Sequence, residues 1–409
     1  MQPASYSHLS FIQSEDSEWV CSQVDHQGTV FYYTVVFPET TGDCRTQVLS
    51  LIQRLDSFLK QRQLSCVILQ QTVFLRNIGD KQLVRQLMLE YYGEHCPAIT
   101  YVAQAPCDPS ACLTVELIAV KGSVHIDHLN EKVVRFEWNE INFCLIGDET
   151  PEEHPAGAYR RSYSAFERMK RDLKNGHFDI GDIFRTWIYQ GHIVLPEGDT
   201  QRYKELNRAR TDFFEGVTFL PHTYPGPKNR AIYPASTGIG MNDTDVVIGC
   251  FALQTQRPDV YTIPLENPQQ TSAFNYEECY SPQSPKFARA MAVGCDQYCD
   301  IFVSGTASIV DSATVHPDDP EGQTNQTLDN IRALIAGGNL ARHGIGGFDA
   351  TLDNLVLARV YVKYPEHRDR ILALCRTRLP HVPLVATYAD VCRDDLLVEI
   401  EGIVSCSRK

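Results

Sequence analysis

Near its C-terminus the chain reads Leu397-Val398-Glu399-Ile400-Glu401, with carboxylates set between apolar residues. On an extended strand Val398 and Ile400 face one side, and Leu397, Glu399 and Glu401 the other. Such an acid is either part of a solvated or ion-paired strand face or a group placed for proton transfer. Burial raises a carboxyl pKa toward neutrality, and a positioned general acid contributes roughly 10²–10⁴-fold to a rate. What covers the strand decides between the two roles for Glu399.

Other chemistries find little support. There are fourteen cysteines but no Cys-x-x-Cys, and the Cys107/Cys112 and Cys295/Cys299 spacings do not suit zinc. No histidine pair completes a site, so no structural metal is expected. The scatter of the cysteines, with no basic and apolar leader at the N-terminus, points to reduced thiols and a cytoplasmic location. No apolar run approaches the ~20 residues of a membrane span. Lys and Arg number 37 against 51 Asp and Glu, a net charge of −14. With no basic patch, nucleic acid is excluded as a partner. The glycine-rich segment between Gly337 and Gly347 follows a helical pattern instead of opening one, so it reads as a connection and not a phosphate cradle.

The elements that must position Glu399 are written three times. Residues 1–27 read as an irregular arm. Residues 28–125 then give strands, a helix striped by Val48, Leu51, Ile52, Leu55, Phe58 and Leu59, a strand at Cys66–Leu75, a second helix near Lys81–Tyr91, and two closing strands. That stripe is the spacing of a helix covering a sheet. The order recurs in residues 126–260, with a stripe at Phe166, Met169 and Leu173 and a second helix at Arg202–Phe213. It recurs again in residues 261–409, with Leu328, Ile331, Leu334 and Ile335 on the first helix. Gln47 and Gln323 both open a first helix, and Pro97, Pro234 and Pro383 each precede the closing strand pair. Glu116 and Glu399 read as equivalent positions of the last strand, with Gly249 in the middle copy. Internal repetition of this kind indicates one structural unit used repeatedly.

The third copy resembles the RidA/YjgF family through Val303-Ser304-Gly305, Gln323…Leu328-Asp329-Asn330-Ile331, Leu357-Ala358-Arg359-Val360-Tyr361-Val362, Pro383 and Leu397–Glu401. The resemblance implies an α+β fold, a sheet covered by two helices in each unit. Three units in one chain would form an intramolecular pseudo-trimer, expected to act as a monomer. The likeness is closer still to the chorismatases. It is carried by Asn267-Pro-Gln-Gln, Tyr276, Tyr280, Ser284-Pro285-Lys-Phe287-Ala-Arg289-Ala290, Ser304–Val310 and Cys392-Arg393…Leu397–Glu401, about the last 145 positions. The middle copy adds Arg185-Thr-Trp187 and Arg202-Tyr203…Asn207…Arg210.

This resemblance implies cleavage of the enolpyruvyl ether of chorismate to pyruvate, with no metal or redox cofactor. By match, Glu399 protonates the enolpyruvyl methylene. Gly305 together with Cys392 resembles the branch that forms 3-hydroxybenzoate; the other branch leaves a dihydroxycyclohexadiene carboxylate. Two carboxylates on the substrate call for cations, with Arg289 first, then Arg359, then Arg185. Tyr276 and Tyr280 are placed to meet ring hydroxyls, and Cys392 to shape the pocket. The site is expected between the second and third repeats. Two departures stand out. Ile99, Ser236 and Val385 occupy the positions where RidA-type deaminases carry an arginine, which argues against imine hydrolysis. Asp311-Ser-Ala-Thr-Val-His316 replaces the Gly-His that usually follows Ile309-Val310. A non-catalytic metabolite- or protein-binding module, or a hydrolase or lyase for another enol or imine acid, stays open on the residues alone.

Overall fold

The computed structural model describes residues 8–61, 66–227, 231–276 and 283–408. Among the described residues, three six-stranded sheets, each carrying two main helices, form the framework. Across the third sheet the order is Tyr261–Leu265, Ala290–Gly294, Tyr298–Ala307, Val398–Ser407, Leu355–Val362, Leu384–Tyr388. The first two sheets repeat this order strand for strand. In each, only the last two strands run parallel. A parallel pair needs a crossover, and the second helix of each repeat supplies it: Lys81–Tyr92, Arg202–Phe213 and Arg368–Arg378.

The helical stripes fall where their spacing puts them. Val48, Leu51, Leu55 and Phe58 are fully buried under the first sheet, and Leu328, Ile331, Leu334 and Ile335 under the third. Pro320 opens the helix Pro320–Ile335, and Asp319 caps it by accepting from the Glu321 and Gly322 amides. The segment 337–347 is not a plain connection, because it contains the short helix Gly337–Arg342.

The N-terminal segment differs from its expectation. Leu9–Gln13 and Trp19–His26 are the two outer strands of the first sheet, not an arm. Trp19, Cys21 and Val24 are fully buried, and so is the polar Ser22 between them, while Asp25 is exposed. Buried polar letters such as Ser22 and His26 break the alternation by which a strand is read.

The far faces of the sheets meet in a central core that includes Leu69, Phe143, Phe184, Phe251, Phe302 and Val356. Three of these occupy one structural position. The strand after each first helix carries a bulge whose extra residue is Leu69, Phe184 or Val356. Three residues beyond each bulge, Thr72 pairs with Glu116, Trp187 with Gly249, and Arg359 with Glu401. Glu116 is therefore the counterpart of Glu401, and not of Glu399. The counterparts of Glu399 are Thr114, opposite Phe74, and Val247, opposite Tyr189. The sequence placed the acids one strand period apart because it does not reveal where the bulges fall.

Candidate active site

Glu399 sits on the strand Val398–Ser407, opposite Tyr361 on one side and Ala307 on the other. The shared glutamine of the first helix fixes the approach to it. The Gln323 side chain accepts from the Leu397 amide at 2.8 Å and donates to the Asp395 and His316 carbonyls. Gln47 braces the first repeat alike, accepting from the Cys112 amide at 2.7 Å.

A cavity of about 260 Å³ opens at Glu399, between the second and third repeats. The third repeat contributes Glu399, Gly305, Arg289, Tyr276 and Cys392 to its wall. From the second repeat come Tyr203 and Arg210 on the helix Arg202–Phe213, with Ser236 and Gly238 on the strand Ala235–Met241. The seam is held by backbone pairing of Ala235 with Ala288 and by the Ser304 hydroxyl, which accepts from the Ser236 amide at 2.9 Å.

Glu399 is only 4% exposed, and its carboxyl makes no hydrogen bond or ion pair with another described residue. Burial, reinforced by the negative charge of Glu401, pushes its pKa up to about 8, against the pull of Arg185 and Arg289. Glu401, two residues on, has the opposite fate. It accepts from Arg185, Thr237, Arg359 and Tyr361, and the two guanidiniums hold its pKa below the usual carboxylate value despite burial. Two acids on one face of one strand are thus set apart, one protonatable near neutrality and one ionised.

Two arginines line this cavity without a carboxylate partner among the described residues. Arg289 donates to the Thr271 carbonyl at 2.8 Å and to the Tyr276 hydroxyl at 2.5 Å, and its Nε is unpartnered. Arg210 donates to Asn207 Oδ1 at 2.7 Å and to Ser236 Oγ at 3.4 Å, and its Nε is likewise unpartnered. Both guanidiniums lie 5.6 Å from the ring centroid of Phe287. A buried guanidinium lacking a counter-anion is costly, so two beside one cavity suit a ligand with two negative groups.

Gly305 leaves room for the Glu399 carboxyl. A Cβ there would stand 2.0 Å from Glu399 Oε1 and 3.1 Å from Thr237 Cγ2. Burial and the nearby Glu399 charge push the Cys392 thiol up to about 12, so it lines the wall as a neutral group.

The structure places the other candidates elsewhere. Arg359 does not line the cavity. It is 5% exposed and spent on Glu116, Glu401, Tyr189 and Thr72, where the three repeats meet. It stands opposite Glu401, so its side chain is drawn to the axis and not to the seam. Arg185 is held by Glu401 and Thr237 at the same place. Tyr280 lies outside the described residues. Asp311 and Ser312 form the turn of a small hairpin between Ile309–Val310 and Ala313–Thr314, and His316 is not part of the cavity wall. Arg210 was not singled out from sequence as a ligand. Its signal is the i, i+4, i+7 spacing of Tyr203, Asn207 and Arg210, which puts polar groups on the buried face of an amphipathic helix.

No protein-family model matches the chain. Among curated proteins it is 33% identical over 273 residues to a 3-hydroxybenzoate synthase of Streptomyces hygroscopicus, covering 65% of this chain and 74% of that one. It is 34% identical over 227 residues to a chorismatase of the same organism, covering 54% of this chain and 61% of the relative. Among solved structures a chorismatase superposes with a TM-score of 0.65 over 93% of this chain and 100% of that one, at 22% identity, a likeness of fold. By its similarity to the first of these relatives, over that share of both chains, this protein belongs to the chorismatase and 3-hydroxybenzoate synthase family.

Proposed function

We propose that this chain cleaves the enolpyruvyl ether of chorismate, releasing pyruvate and leaving 3-hydroxybenzoate, with Glu399 as the general acid. The carrying observation is a buried carboxyl without a hydrogen-bond partner among the described residues, at a cavity that also presents two buried arginines without carboxylate partners. Both named relatives act in this chemistry, a 3-hydroxybenzoate synthase and a chorismatase.

In this reading Arg289 and Arg210 take the two substrate carboxylates and hold the methylene carbon toward Glu399. The protonated carboxyl gives its proton to that carbon, which becomes a methyl group. The adjoining ether carbon becomes cationic, stabilised by its oxygen, and Glu399 is left as a carboxylate. If water adds to the cation and returns a proton to Glu399, the hemiketal collapses to pyruvate and a dihydroxycyclohexadiene acid. For 3-hydroxybenzoate the ring C–O bond breaks instead and pyruvate leaves with the ether oxygen. The neighbouring ring hydroxyl oxygen bonds to the vacated carbon as its proton passes to Glu399. Opening of that epoxide, with loss of the ring proton and its return to oxygen, gives the phenol with no net uptake of water. The pairing of Gly305 with Cys392, which resembles the 3-hydroxybenzoate branch of the family, supports that product.

The test is incubation with chorismate, with pyruvate read by a coupled dehydrogenase and the ring product by chromatography. Pyruvate and 3-hydroxybenzoate in equal amounts are expected, and Glu399→Gln is expected to lower kcat roughly 10²–10⁴-fold. Absence of chorismate turnover by the native protein removes the reading.

A further inference from the structure

The first repeat contributes nothing to the wall of the cavity at Glu399. It does contribute to the charge cluster behind that wall. Where the sheets meet, Glu116 of the first repeat, Arg185 of the second, and Arg359 and Glu401 of the third lie within a continuous set of contacts. Each is at most 5% exposed. Arg359 Nε donates to Glu116 Oε2 at 2.8 Å and a second guanidinium nitrogen bonds Glu116 Oε1. The same guanidinium donates through Nη1 to Glu401 Oε1 at 2.9 Å. Arg185 bonds the other oxygen of Glu401. The Thr237 hydroxyl also bonds that oxygen and accepts from the Gly305 amide at 2.9 Å, which leads to the floor beneath Glu399.

The cluster holds two positive and two negative groups, and its balance bears on Glu399. Glu401 is the nearest acid on the same strand face. Its charge opposes ionisation of Glu399 to the extent that the arginines leave it uncompensated. Arg359 is divided between two carboxylates, with two of its nitrogens on Glu116 and one on Glu401. Without Glu116, the whole guanidinium would serve Glu401, and the cluster would carry a net positive charge. The other charged or titratable groups at the cavity are Tyr276, Arg289 beside the strand Ala290–Gly294, Arg210 and Tyr203 on the helix Arg202–Phe213, and Cys392, Arg393 and the largely exposed Asp394 on the loop before its own strand. None of these touches Glu116.

We propose that Glu116, a residue of the first repeat outside the cavity, is a positioning residue for the reaction: by engaging Arg359 it leaves the charge of Glu401 in force and keeps Glu399 in its acid form. The inference rests on Glu399 being the general acid. It gives the first repeat a part in the chemistry without any contact with substrate.

The experiment is the pH profile of kcat/KM for pyruvate release from chorismate by the native protein, Glu116→Gln, Glu116→Asp and Glu399→Gln. In Glu116→Gln the alkaline limb is expected to move down by about one pH unit, the lower end of the effect of a neighbouring charge. Activity well below the limb should stay within about twofold of native, since a proton affinity is changed and not the cavity. Glu116→Asp keeps the charge and should leave the limb in place. A limb that stays put in Glu116→Gln overturns the inference. Should that variant fail to fold, the pair Glu116→Gln with Arg359→Gln removes one charge of each sign. Its limb should then lie no lower than the native one, and a lower limb overturns the inference. Glu399→Gln separates the two claims. If it retains native turnover, the general-acid reading itself fails. If it is inactive while Glu116→Gln keeps the native profile, only the inference fails.

Discussion

Glu399→Gln is expected to lower kcat roughly 10²–10⁴-fold and to make the protein more stable, by an amount that grows with pH. The native carboxyl is raised from the ordinary 4.5 to about 8, chiefly by burial. In the unfolded chain it ionises freely above about pH 4.5, whereas in the folded protein it holds its proton until about pH 8. Between those values the folded state binds more protons, so its stability falls as pH rises. At ~1.4 kcal/mol per pK unit the cost is less than about 1 kcal/mol at pH 5 and about 3 kcal/mol at pH 7. Above pH 8 it levels near 5 kcal/mol. Glutamine has the shape of the protonated acid and does not ionise, so the substitution removes this cost. Urea unfolding of both proteins at pH 5, 7 and 9, beside pyruvate release, measures the difference. A stability gain that is the same at all three values, or a loss at pH 9, would refute the claim that this acid is held dry.

Native kcat/KM should fall as pH passes about 8, by tenfold per unit, because the proton-donating form is lost there. Arg210→Met and Arg289→Met should each lower kcat/KM by about 2–5 kcal/mol of transition-state binding, read as a raised KM with the Glu399 limb still present. Gly305→Ala should impair turnover and shift the ratio of ring products, since its methyl group would displace the Glu399 carboxyl; chromatography of the products checks this. Cys392→Ser should retain turnover, and iodoacetamide should not inactivate the native protein at neutral pH, because the thiol stays protonated. Arg359→Met should cost about 3–5 kcal/mol of stability by stranding the buried Glu116 and leaving Glu401 with Arg185 as its one guanidinium, as measured by denaturant unfolding.

Much of this was readable in the letters. Helix stripes, the position of the shared glutamines and the order of strands all follow from local periodicity, and they define the unit that recurs. Glu399, Gly305, Arg289, Tyr276 and Cys392 meet at one cavity because short stretches around three neighbouring strands carry them. Arg359 was misread for a reason of register. It lies on the strand adjoining Glu399, but its partner across the ladder is Glu401, and a bulge at Val356 sets that pairing. Single-residue bulges leave no mark in composition. Arg210 was overlooked because it reaches the cavity from another repeat, across 189 positions of sequence from Glu399. The outer strands at Leu9–Gln13 and Trp19–His26 were hidden because polar letters such as Ser22 and His26 stand at buried places and break the alternation.

The matched bulges carry an evolutionary consequence. Thr114, Val247 and Glu399 hold equivalent places, yet only one is an acid. In an assembly of identical subunits a substitution appears at every seam at once. Fusing the copies into one polypeptide lifts that constraint, so one junction keeps its reactive group while the others are released to drift toward packing or support.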